Sequence, residues 1–251
     1  MIDPRELRTW AAKTGTTEAQ IQKDHLVSHL LHGLQNREGF VFFGGTALNR
    51  THVQGRRLSE DIDLYRTHGS PADPDDLTVW LGSATRREFP GLRIEPTGAR
   101  GDVLDFVARA DDLTVRIQIV GPRQDRSRLA VAASPVELRY SDLPPTVEIV
   151  VPTLGSFTVM KLAAYEDRFA PRDLFDLGSL DDMGAIDAAA LDLLRRFRGT
   201  GPIRWAYEAA RCPSIEEWMV ELAHETADPG DPSATLDRVR RSLDAAAGWT
   251  T

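Results

Sequence analysis

The chain has 251 residues with 30 basic and 38 acidic side chains, a formal net charge of −8, and 41% hydrophobic against 27% charged residues. That balance excludes a disordered or fibrous chain, and it excludes a wholly basic nucleic-acid binder held by phosphate neutralisation, though not a local basic groove. Cys212 is the only cysteine, which rules out an intramolecular disulfide and a cysteine-clustered zinc site. No apolar run approaches the ~20 residues of a membrane span. The start, Met1-Ile2-Asp3-Pro4-Arg5-Glu6, lacks the basic-then-apolar order of a secretory leader, so a reduced, cytoplasmic setting is expected.

In chain order, Thr16 or Thr17 caps a helix whose apolar positions Ile21, Leu26, Leu30, Leu31 and Leu34 recur near helical period. His25, His29 and His32 share that helix at i, i+4 and i+7; a metal site is conceivable at this spacing, and a face packed near the core is the expectation. Phe40 to Phe43 reads as a core strand, Gly44-Gly45 as a turn, and a short helical stretch starts from Thr46. Asp61 to Arg66 reads as a second strand, and Asp73 or Asp75 starts a helix running to about Phe89. Three strand-like pieces follow at Leu92–Pro96, Val103–Arg109 and Thr114–Val120, the last with Val115, Ile117 and Ile119 alternating against Arg116 and Gln118. After Val151-Pro152 strand signals vanish. Helices are expected at about 153–167, 172–180, 187–197, 203–211, 214–225 and 234–247. The fold class is therefore α+β, with residues 1–150 as an α/β lobe and 151–251 as a helical lobe.

The informative constellation is Gly44-Gly45-Thr46 after a strand, followed by Asp61-Ile62-Asp63 on the next one. Glycines let the backbone approach a phosphate, and the helix start behind them offers unpaired N–H groups and a positive dipole end. On a strand, residues i and i+2 point the same way, so Asp61 and Asp63 project together while Ile62 faces the core. Two carboxylates so placed suit the divalent metal that bridges a triphosphate and an attacking oxygen. A phosphate cradle beside such a pair points to nucleotidyl or phosphoryl transfer.

Phe42-Phe43-Gly44-Gly45-Thr46-Ala47-Leu48 with Arg57-Leu58-Ser59-Glu60-Asp61-Ile62-Asp63-Leu64 resembles the AbiEii/AbiGii toxin family of DNA polymerase β-like nucleotidyltransferases, which includes the MenT toxins. Ile21-Gln22-Lys23-Asp24-His25 and the helix after it resemble the family's N-terminal helix. Met160-Lys161-Leu162-Ala163-Ala164 through Arg168, then Arg172-Asp173-Leu174-Phe175-Asp176-Leu177, resembles its downstream Lys…Arg-Asp-x-x-Asp motif. The resemblance implies a polymerase β-like nucleotidyltransferase lobe with a mixed sheet and flanking helices. It implies that Gly44, Gly45 and Thr46 handle nucleotide phosphates, with Ser59 and Arg57 nearby, and that Asp61 and Asp63 hold Mg²⁺ or Mn²⁺. Lys161 would neutralise the triphosphate, Asp173 would complete the site, and Asp176 and Arg172 are weaker candidates.

The implied activity is that of a toxin transferring NMP from an NTP to an RNA acceptor, the tRNA 3′ end above all, with an antitoxin as partner. Transfer to a protein or small molecule is one alternative; a nucleotide-binding interaction module without turnover is another. The module is motivated by Gln118, which stands where a third carboxylate would serve as base, Asp102 and Asp105 lying on a different strand. Two arginine groups, at 123–128 and 195–211 with Trp205 and Tyr207, could hold an RNA backbone, and Arg238, Arg240 and Arg241 could join them; solvated helix faces are the commoner reading.

Overall fold

A computed structural model describes residues 2–67, 73–122 and 125–248. Two compact units emerge, one built from residues up to 122 together with 131–151, the other from 125–130 and 152–248.

Unit 1 opens with a helix that the sequence pattern does not announce, α1 (Pro4–Thr14). The Asp3 carboxylate caps the backbone N–H of Arg5 at 2.7 Å, Pro4 sits at the first helical position, and Gly15 ends the helix at φ 67°. α2 (Glu18–His32) starts at Thr17, whose side chain accepts from the Gln20 N–H. Ile21 and the run from Asp24 to Leu31 are buried, so α2 is enclosed on nearly every side, with His25 and His29 inward and His32 half-buried.

A five-stranded sheet in the order β1-β2-β5-β4-β3 carries the site. Its strands are β1 (Phe40–Phe43), β2 (Ile62–Arg66), β3 (Arg93–Arg100), β4 (Val103–Ala110) and β5 (Leu113–Val120), with β2 and β5 parallel and the other pairs antiparallel. β3 is an edge strand bulged between Pro96 and Gly98, a place where proline removes no needed ladder donor. Between the strands lie α3 (Gly44–Thr51) and α4 (Pro74–Thr85), the latter capped by Asp73. A two-stranded sheet of β6 (Val131–Glu137) and β7 (Thr146–Pro152) completes the unit. Neither strand was expected: Pro135 and the small residues of β6 hide a strand pattern, and Pro144-Pro145 masks the start of β7.

Unit 2 is helical: α5 (Leu154–Arg168), α6 (Pro171–Asp182), α7 (Ala188–Arg198), α8 (Ile215–Leu222) and α9 (Pro232–Ala247). Phe157, Leu162, Leu174, Leu177, Leu191, Leu194, Trp218, Val239 and Leu243 form its fully buried interior. The helix expected over 203–211 is instead two short 3₁₀ turns, Arg204–Tyr207 and Ala209–Arg211. Glu208 between them is extended at φ −77° and ψ 152°, and Pro213 disfavours helix at Cys212, so no continuous ladder forms. Among the described residues no helix is long and apolar enough to cross a membrane.

Candidate active site

The phosphate-binding expectation rests on how β1 turns into α3. Helix α3 begins at Gly44 rather than at Thr46, so both glycines belong to its first turn and their N–H groups are among those that have no partner within the helix. Gly44 has φ 79°, and a Cβ there would stand 2.3 Å from Asp63 Oδ2. Only glycine satisfies both constraints. A Cβ on Gly45 would lie 2.6 Å from Arg57 Nη2 and 3.2 Å from Ser59 Oγ, so the second glycine is closed in by the side chains of the loop before β2.

Thr46, the third residue of that turn, fastens it to the acidic strand. Its hydroxyl is hydrogen bonded to Ser59 Oγ at 2.9 Å and to the Asp61 carbonyl oxygen at 2.5 Å. β2 starts at Ile62, so the strand alternation does not reach Ser59; the Thr46 contact, not the pleat, places that hydroxyl. Arg57 is buried, with Nη1 donating to the Leu58 carbonyl at 3.2 Å, and its guanidinium lies under Gly45 rather than in solvent.

The acids stand as the pleat requires. Ile62 is fully buried, while Asp61 and Asp63 on either side of it are half-buried. Asp63 pairs with Phe43 on one side and with Gln118 of β5 on the other. Asp61 Oδ2 lies 3.2 Å from Arg116 Nη2. Two hard carboxylates beside a glycine cradle that no side chain can fill are a donor set suited to Mg²⁺ or Mn²⁺.

A third carboxylate lies on the same sheet face. Asp105 on β4 is the register partner of Gln118, and Gln118 Nε2 donates to Asp105 Oδ1 at 2.9 Å. Asp63, Gln118 and Asp105 therefore form one row across three strands, the two acids about 9.5 Å apart at Cα by strand spacing. Gln118 thus stands between two carboxylates in the row and is hydrogen bonded to one of them. The signal was present in the sequence, because a two-residue turn at Asp111-Asp112 sets Ala110 opposite Leu113 and hence Asp105 opposite Gln118.

The downstream motif forms a tight cluster within unit 2. Lys161 Nζ bonds Asp173 Oδ1 at 3.0 Å and Asp176 Oδ2 at 2.6 Å, and Arg168 Nε reaches Asp173 Oδ2 at 2.5 Å. Both acids are fully buried. Burial acts to raise the Asp173 carboxyl, but the Lys161 and Arg168 charges outweigh it and hold the group below the ordinary carboxylate range. Lys161 is thus occupied by two acids. Arg172 lies apart, on the surface, 3.2 Å from Glu221.

Four of the arginines in these groups are paired with acids. Arg195 pairs with Asp192, Arg198 with Glu166 and Asp167, Arg238 with Asp182 and Arg240 with Asp237. Arg211 stacks over Phe169 and Trp205, its guanidinium carbon 5.2 and 5.0 Å from the ring centroids. Arg123 lies outside the described residues.

Comparison with protein families matches residues 28–247 to the AbiEii nucleotidyl transferase toxin of Type IV toxin–antitoxin systems. Among solved structures, the fold is similar to that of MenT4, a nucleotidyltransferase toxin from Mycobacterium tuberculosis, at a TM-score of 0.59 and 18% identity over 93% of this chain and 84% of that one. It is similar also to an H. pylori protein described as a nucleotidyltransferase, with a TM-score of 0.58 and 17% identity over 92% of this chain and 96% of the other. Comparison with curated protein sequences gives no significant match.

Proposed function

Because the chain belongs to the AbiEii family of nucleotidyltransferase toxins, we propose that it transfers NMP from an NTP to an RNA hydroxyl, the tRNA 3′ end being the acceptor carried over from the MenT resemblance. The family makes the chain a transferase of the toxin–antitoxin kind, with an antitoxin as partner and an NTP and a divalent metal as its chemistry. The observation that carries the reading is the fastening of Gly44, Gly45 and Thr46 to Ser59, Asp61 and Asp63 within one strand–helix–strand unit.

In this reading the first-turn N–H groups of α3 receive the nucleotide's phosphate oxygens, with Thr46 and Ser59 fixing the turn and the Arg57 guanidinium beneath it adding positive potential. Asp61 and Asp63 hold the divalent cation, which polarises phosphoryl oxygens when bound. The acceptor oxygen attacks the α-phosphorus, the bond to pyrophosphate breaks, and the hydroxyl proton passes to a carboxylate. Asp105, with Oδ1 held by Gln118 and Oδ2 lying 3.6 Å from the exposed Arg100 guanidinium, is the acid this sheet face offers for that proton. An available base also supports turnover over the binding-only module that Gln118 alone would favour. Lys161 and Asp173 enter through the motif resemblance. Their mutual ion pair makes a role in holding unit 2 together the first thing to separate from any role in transfer.

The test is incubation with Mg²⁺, each labelled NTP and, in separate reactions, total tRNA or cell protein. Label in tRNA that disappears with Asp61→Ala is the expected result. Label confined to protein would move the acceptor to the second class, and NTP binding with no transfer to any acceptor would leave only the module.

A further inference from the structure

The packed-face expectation for the α2 histidines covers burial but not what the structure adds to two of them. His25 Nε2 and His29 Nε2 stand 3.1 Å apart, and Asp142 Oδ2 lies 2.9 Å from the first and 3.0 Å from the second. Asp142 comes from the loop between β6 and β7, far away in sequence, so the spacing on α2 could not reveal it. His32 takes no part in the group.

From these three atoms we propose that His25, His29 and Asp142 form a zinc-class divalent metal site that ties α2 to the β6–β7 loop. The triangle has the right size. Ligands at the ~2.0–2.1 Å usual for zinc sit about 3.3 Å apart in a tetrahedron, and a cation about 2.0 Å from each of these atoms would stand about 1 Å above their plane.

The three atoms converge on one point, two ring nitrogens and a carboxylate oxygen within 3.1 Å of one another, and a single cation satisfies all three contacts at once. Imidazole pairs with one carboxylate suit zinc and neighbouring transition metals better than Mg²⁺. The rings are also held in place, edge-on to Phe89 for His29 and to Tyr140 for His25. Asp142, at 35% exposure, marks the solvent side, where the fourth coordination position is left for water.

The neighbourhood gives the site its consequence. Next to His25 in the chain, Asp24 is buried among Arg50, Arg139 and Tyr140, and Arg139 and Tyr140 belong to the same loop as Asp142. The metal would add a second clamp between two segments that already share one, so it acts as a staple rather than as a second reaction centre.

The site is separable from the carboxylate pair on β2 by titrating the full-length Asp61→Asn/Asp63→Asn chain, stripped by chelator, with zinc against a chromophoric competitor. One equivalent is expected, with a raised melting temperature on zinc addition and a visible absorption band when Co²⁺ replaces it. His29→Gln and Asp142→Asn should each weaken zinc by more than the ~10–100-fold that outer-shell partners command. Should His29→Gln fail to fold, Asp142→Asn decides alone, since its side chain is partly exposed and isosteric. No stoichiometric zinc, or zinc binding unchanged by Asp142→Asn, overturns the proposal.

Discussion

Two groups of carboxylates in this molecule carry motif residues, and they are built in opposite ways. Asp61 and Asp63 are half-buried where β2 begins, the second beside a glycine that keeps bulk away from it. Asp173 and Asp176 are fully buried within a helical unit and bound by Lys161, with Arg168 also on Asp173. A carboxylate meant to gather a cation must keep lone pairs reachable. One meant to lock two helices together does best with its oxygens saturated, because an uncompensated buried charge is strongly destabilising. The same residue type thus stands reachable in unit 1 and saturated by ion pairs between α5 and α6 in unit 2.

The sharpest way to break that contrast is Asp61→Ala or Asp63→Ala. Transfer of label from NTP should fall at least about a hundredfold, while thermal melts stay within a few degrees of the parent, since neither side chain supports the core. A loss of folding comparable to the loss of activity would erase the distinction. Asp173→Ala should invert the pattern. It takes one of two carboxylates from the buried Lys161, and a denaturant titration should show a loss of roughly 3 kcal/mol, at the low end for a broken buried pair because Asp176 still neutralises Lys161 and Arg168 is mostly exposed.

Gly44→Ala should act on both readouts, costing about 1–2 kcal/mol for a side chain at positive φ, with activity lost beyond what the melt explains because the new methyl displaces the Asp63 carboxylate. Asp105→Asn should cost least among the chemical variants, about a hundredfold in turnover with the nucleotide KM unchanged, since it removes a proton acceptor and no phosphate contact.

The smallest effect is in acid. Asp173 has its folded pKa depressed, so its contribution is fully present above the unfolded value near ~3.9 and is lost as pH falls through the lower folded value. Asp173→Asn should therefore flatten the fall in melting temperature over that acid window. A variant whose acid melting matches the parent would remove the charge-locked account of unit 2.

What the sequence disclosed was what is local in the chain. The glycine turn and Asp61-Ile62-Asp63 could be read because backbone approach and strand alternation act within a few residues. Ser59 lies against that turn because Thr46 holds it, the strand not extending to it. Lys161 could be picked out by its motif, whereas its engagement by Asp173 and Asp176 needed the packing of α5 on α6. Asp142 was out of reach altogether, because no periodicity links a loop after β6 to the inner face of α2. Strands β6 and β7 stayed hidden behind Pro135 and Pro144-Pro145.

The anchoring of α2 has a bearing on when this protein becomes competent during synthesis. Asp24 receives Arg139 and Tyr140 across 115 and 116 positions of chain. Helix α2 and the loop that secures it are thus made far apart in time, and the ribosome must emit more than half of the polypeptide before the two can meet. Such distant closure is slow and leaves apolar helix faces uncovered in the nascent chain. Unit 1 therefore stays unfinished until most of it has been synthesised, and its competence arrives late and all at once rather than strand by strand.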